Sequence, residues 1–95
     1  MSDLAQQQQQ QQKKRKALVK TITGAADNGG GLIRITCLNH AFFTQDRIQI
    51  AGVNGTTEAV GKWPITVISG NTFDLQGSAF VHAYVSGGTA TRTQG

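Results

Sequence analysis

The chain holds one cysteine, one proline, one tryptophan and one tyrosine among 95 residues. A single thiol, Cys37, excludes an internal disulfide framework and fits synthesis in a reducing cytoplasm. No apolar run approaches the ~20 residues that cross a bilayer as a helix, so no membrane association is expected. The first 17 residues are polar where an apolar signal segment would stand, which predicts no secretory leader. Charge is sparse, at 15% Asp, Glu, Lys and Arg, and no local motif places two titratable groups together. The expectation is a protein that is not an enzyme and carries no cofactor and no metal.

What charge there is lies at one end. Residues 1–20 hold Lys13, Lys14, Arg15, Lys16 and Lys20 against Asp3, which accounts for the whole net charge of +4. Beyond them, Arg34, Arg47, Lys62 and Arg92 balance Asp27, Asp46, Glu58 and Asp74. The basic isoelectric point therefore belongs to the leader, not to the globular part.

The leader, residues 1–16, is of low complexity: Gln6, Gln7, Gln8, Gln9, Gln10, Gln11 and Gln12 precede the basic run Lys13, Lys14, Arg15, Lys16. It has nothing to bury and cannot offset its ordering entropy alone. Gln, Lys, Arg and Ala are nevertheless good helix residues, and Ser2 or Asp3 can cap such a helix. The arm is thus read as disordered in isolation and helical or extended when a partner holds it. Four roles fit: contact with nucleic acid through the cations, docking on an acidic protein surface, a nuclear-localisation signal, or a solvated leader. No aromatic interleaves the cations for base stacking.

Residues 17–95 read as one small all-β domain with 12 glycines in the chain to turn it. A domain of roughly 60 residues buries only ~60% of the surface its unfolded chain exposes. A neighbouring subunit is the expected source of further stability. Ala17–Thr23 alternates as an edge strand, with Lys20 discouraging edge-to-edge pairing. Ala26–Gly31 predicts a hairpin loop; its triple glycine lacks the Lys-Ser/Thr ending and the helix of a phosphate loop. In Leu32–Leu38 the better core face is Ile33, Ile35 and Cys37, so the thiol is expected to be buried and inert. Ile48 and Ile50 face the core, and Phe42 or Phe43 plugs one end.

The second half holds the clearest pattern. Trp63–Ile68 and Thr72–Leu75 flank Ser69-Gly70-Asn71, which predicts a hairpin with Gly70 or Asn71 at positive φ. Pro64 has no N–H to give, so it is expected at a strand start or an edge. Ser78 is expected to cap one helical turn with Phe80 and Tyr84 on one face, stopped by Gly87-Gly88 before a last strand. The fold class that results is an all-β small barrel of five to seven strands with one short helical turn.

Residues 54–61 form the longest polar loop of the domain, where binding usually resides on a rigid scaffold. The candidate surface residues are Asn54, Thr56, Thr57, Glu58 and Trp63. Glu58 reads as an exposed carboxylate without a partner, which does not make a hydrolase. Trp63 reads either as a cover for a barrel end or as a platform for a glycan or peptide. His40 reads as a polar loop residue, and with His82 it does not complete a zinc site.

The run GVNGTTEAVGKWPITVISGNTFDLQGSAFVHAYVSGGTATR resembles the small β-barrel of structural proteins in tailed bacteriophages. It is similar in pattern to the first catalytic-cysteine half-domain of ubiquitin-activating enzymes, an accessory, non-catalytic element. The features that carry the resemblance are Gly61-Lys62-Trp63, Phe73-Asp74-Leu75, Ser78-Ala79-Phe80, and Tyr84 with Gly87-Gly88. The upstream segment ITGAADNGGGLIRIT, Ile22–Thr36, also looks typical of the phage versions. The resemblance implies a structural virion protein, assembled in the cytoplasm of a host bacterium and present in several copies. Its implied partners are capsid, connector or tail subunits, with nucleic acid as an alternative through the arm, or a glycan on the host surface through the loop. Neither the adenylation site nor the thioester-forming cysteine of ubiquitin activation is here, so that activity is not implied. The arm is an addition to the barrel pattern and is expected to carry its attachment.

Overall fold

Alternation of apolar and polar residues sets the strands, and glycine and asparagine set the turns between them. The computed structural model describes residues 18–93, so the arm lies outside the described residues. Seven strands form in order: β1 (Leu18–Thr21), β2 (Gly24–Asp27), β3 (Ile33–Thr36), β4 (Arg47–Ala51), β5 (Gly61–Ser69), β6 (Thr72–Leu75) and β7 (Thr89–Arg92). Among the described residues one 3-10 turn, Thr57–Ala59, interrupts them. All pairings are antiparallel, in the order β1-β7-β4-β5-β6-β3-β2.

The outer strands of that order are consecutive in the chain, so the sheet curls until its two ends meet covalently. Ile22 N–H donates to Gly88 O and Thr23 N–H to Thr36 O, both at 2.9 Å. One extended segment thus passes from β7 to β3 within two residues. β5 does the same on the opposite side: Gly61–Pro64 pair with β4, and Ile65–Ser69 pair with β6. Pro64 therefore sits within a strand rather than at its start. Its carbonyl accepts Gln76 N–H at 2.9 Å. The reciprocal bond, which proline cannot donate, falls where β6 has already ended.

The inward faces pack one core. Ile22, Ile33, Ile35, Cys37, Ile48, Ile50, Ile65, Phe73 and Leu75 are buried. Each large aliphatic or aromatic side chain so buried contributes ~1.5–3 kcal/mol. Cys37 is among them, and burial pushes its thiol up to about 11, with Lys20 pulling weakly the other way. A thiol so rarely ionised is a packing residue.

Several expectations need correction. The helical turn is not at Ser78. That hydroxyl is instead committed elsewhere: it accepts Ile33 N–H at 3.0 Å and donates to Leu75 O at 2.6 Å. Residues 79–88 run irregularly instead, and the turn forms at Thr57–Ala59. The predicted β5–β6 hairpin forms, but neither Gly70 nor Asn71 has positive φ. A register shift between Val67 and Ser69 leaves Ile68 as an extra residue, and this bulge supplies the local twist. Ser69 Oγ accepts Asn71 N–H at 3.1 Å and closes the turn.

The first hairpin loop begins later than expected, since Ala26 and Asp27 belong to β2. Its loop is closed by side chains. Asp27 accepts from Gly29 and Gly31, and Asn28 accepts from Gly30 and Leu32. These bonds occupy the glycine N–H groups that a phosphate loop would present.

Of the two candidate plugs, Phe42 is buried and Phe43 exposed. His40 is no polar surface residue, being 1% exposed. Its Nδ1 accepts Phe42 N–H at 2.9 Å and its Nε2 donates to Ser69 O at 2.8 Å. The ring stacks on Phe42, and both meet Phe73 edge-on.

Candidate functional site

The sequence singles out the 54–61 loop, and the structure shows what its polar groups face. Between β6 and β7 the chain crosses one side of the barrel as an irregular strap, residues 76–88. Phe80 and Tyr84 turn toward the core, while Val81 and Val85 face solvent. With so little regular structure of its own, the strap is held by the 54–58 loop beneath it.

Each loop residue contributes a different tie. Asn54 forms an isolated antiparallel bridge with Ser86, accepts Val85 N–H at 2.9 Å, and reaches Ser86 Oγ through its amide at 3.2 Å. Thr56 is fully buried, and its hydroxyl donates to His82 O at 2.8 Å. It is therefore not a surface-binding residue. Thr57 opens the 3-10 turn and is exposed. Gly55 lets loop and strap approach closely: at φ +91° it takes a conformation side chains rarely adopt, and a Cβ there would lie 2.7 Å from Val85 N.

Glu58 is the strongest tie and not an unpartnered carboxylate. Its Oε2 accepts Val81 N–H at 2.6 Å and His82 N–H at 2.7 Å, and its Oε1 meets His82 Nδ1 at 2.9 Å. A carboxylate can only accept at neutral pH, so Nδ1 carries the hydrogen. Partial burial by itself raises the Glu58 pKa, but the His82 backbone, the His82 ring and the Val81 backbone outweigh it and hold the group at about 2. Glu58 and His82 stand far apart in sequence, and no local motif joins them. The useful signal was a carboxylate in a turn and a histidine in a glycine-stopped segment, which only the tertiary fold brings together.

Trp63 stands at the foot of the same loop. Its Nε1 donates to Ala59 O at 2.7 Å, and its ring packs partly against the core. That bond ties β5 to the 3-10 turn. The arm residues Gln6–Gln12 and Lys13–Lys16 lie outside the described residues.

Chemically, the Glu58–His82 pair has the form of an oriented imidazole. No hydroxyl or thiol of the described residues is bonded to that ring. Among the described residues no group of three or more His, Cys, Asp or Glu side chains is placed to hold a metal, and no helix is long and apolar enough to cross a membrane. The arrangement serves to fix a strap on a barrel. No protein-family model matches the chain, and no curated protein matches it.

Proposed function

We propose that the chain is a non-enzymatic structural protein of a tailed-bacteriophage virion, attached to head, connector or tail through its arm. The observation that supports this reading is a separation of tasks. The polar loop groups that a binding module would turn outward are used to hold the barrel together: Thr56 and Glu58 both bond within the domain. The excess positive charge lies in the arm and first strand. The barrel supplies a stiff shape, and the arm supplies the attachment.

In this mechanism Lys13–Lys16 meet carboxylates of a neighbouring subunit while the glutamines hydrogen-bond along a groove. Each exposed ion pair is worth only ~0–1 kcal/mol, so the arm works through several contacts and through repeated copies. Mass spectrometry of purified particles, before and after trypsin cuts the basic run, tests it. The chain is expected among the particle proteins, and the clipped barrel is expected to leave. A barrel that stays after clipping contradicts attachment by the arm.

The four contiguous cations favour one second reading, a nucleic-acid-binding accessory protein. Four to five phosphate contacts would make log K fall with log salt at a slope of about −4. An absence of DNA binding at low salt removes it.

A further inference from the structure

The near balance of charge in the barrel hides a segregation between its two halves. Strands β1, β7 and β4, with residues 61–64 of β5, hold Lys20, Arg47, Lys62 and Arg92 and no Asp or Glu. Strands β2, β3 and β6, with residues 65–69 of β5, hold Arg34 against Asp27 and Asp74. This second half closes on itself. Arg34 and Asn28 both reach Asp74, and Gln76 reaches Thr66.

The basic half leaves its polar side chains unspent. Register sets Val19 opposite Thr91, Thr91 opposite Gln49, and Gln49 opposite Lys62. These four side chains share the outward face, because the alternate positions Ile48, Ile50 and Ala90 are buried. With strands ~4.8 Å apart, the row crosses all four in about 14 Å. Among the described residues, no hydrogen bond or ion pair engages the side chains of Thr91, Gln49 or Lys62. Arg47 stands two residues from Gln49 on β4 and shares its face. The carboxylates nearest in sequence are engaged elsewhere: Asp46 is 8% exposed and accepts Phe43 N–H, and Glu58 holds the strap.

What the row offers decides what fits it. Lys62 and Arg47 call for an anion. Thr91 and Gln49 accept as well as donate, whereas a phosphate backbone has only acceptors to meet them. Val19, 54% exposed at the other end of the row, has no counterpart in a phosphate chain. A protein surface with a carboxylate facing Lys62 supplies all three chemistries. Lys16 stands three residues before Val19, about 10 Å of extended chain. A subunit that receives the cations of the arm therefore lies within reach of this row. We propose that the row of Val19, Thr91, Gln49 and Lys62, with Arg47 beside it, docks the barrel on an acidic protein surface. The proposal rests on the arm-attachment reading above and names a second contact with the same neighbour, but its test needs no particle.

Backbone amide shifts of the full chain, titrated at low salt with poly-L-glutamate and separately with a DNA duplex, test it. Poly-L-glutamate is expected to shift the amides of residues 47–51, 61–63 and 89–92 and to leave those of β3 and β6 in place. Lys62→Glu is expected to weaken that response about five-fold, and Thr91→Glu, in the middle of the row, to act in the same direction. Circular dichroism checks that both variants fold. Shifts confined to residues 1–17 overturn the proposal, and so does a response that folded variants at both positions leave unchanged. A face that answers DNA at least as strongly as poly-L-glutamate is not selective for a protein and overturns it too. If the face responds as expected but purified particles lack the chain, the virion reading fails and the docking face stands.

Discussion

Replacing Glu58 by glutamine isolates what holds the strap. The carboxylate accepts three hydrogen bonds, from the Val81 and His82 N–H groups and from the His82 ring. Glutamine keeps one acceptor oxygen and turns an amide against the remaining donors. A hydrogen bond to a charged group contributes about 1.5–3 kcal/mol, and the freed strap donors recover part of this from water, so the loss is about 2 kcal/mol. For a domain of this size that lowers the melting temperature by roughly 8–16 °C. Hydrogen exchange followed by mass spectrometry locates the effect: amides of residues 79–86 should lose protection while those of β3 and β6 keep theirs.

The pH dependence has a definite sign. The Glu58 pKa is lowered in the folded state, to about 2 from an ordinary 4.5. Its stabilising contribution is therefore complete above the ordinary value and is lost as pH falls from there through about 2. The stability difference between wild type and Glu58→Gln should shrink across that window. A difference that stays constant on acidification, or strap amides exchanging equally in both proteins, would refute the latch.

Three further outcomes follow from other contacts. Gly55→Ala would drive a Cβ into the strap backbone at a positive φ, so it should cost more than about 3 kcal/mol, read as a large fall in the denaturant midpoint. Burial raises the Asp74 pKa, but its bonds to Arg34 at 2.7 Å and to Asn28 at 2.9 Å prevail and lower it. Asp74→Asn should lower the melting temperature by several degrees at neutral pH and remove part of the loss of stability on acidification, because the wild-type carboxylate stabilises only while ionised. Cys37, buried and with its thiol raised to about 11, should react with a thiol reagent only at the rate of unfolding; rapid labelling of the native protein would contradict its place in the core.

Much of the barrel was legible because alternation reports burial directly. Ile33, Ile35 and Cys37, then Ile48 and Ile50, are buried as their spacing predicts. The central hairpin follows from two such runs and a short polar turn. Three of the departures share one cause, the reuse of polar atoms by tertiary partners. Ser78 looks like a cap until Ile33 N–H is seen to claim its hydroxyl. His40 looks like a loop residue until Phe42 and Phe73 close around it. Glu58 and Thr56 look like surface groups until the strap lies over them. Local sequence carries no record of these pairings, since each joins segments brought together only by folding.

The position of Leu18 governs how the barrel bears a load. Leu18 lies opposite Arg92, so the first and last described strands enter and leave the sheet at one corner. A pull applied at Leu18 would peel β1 from β7 one rung at a time, beginning at that corner, instead of shearing the whole ladder at once. The peel stops at Ile22–Thr23, where the backbone changes neighbours and a pull must also part it from Thr36. Pulled from that corner, the barrel would yield by a few residues and recoil, with its core still closed.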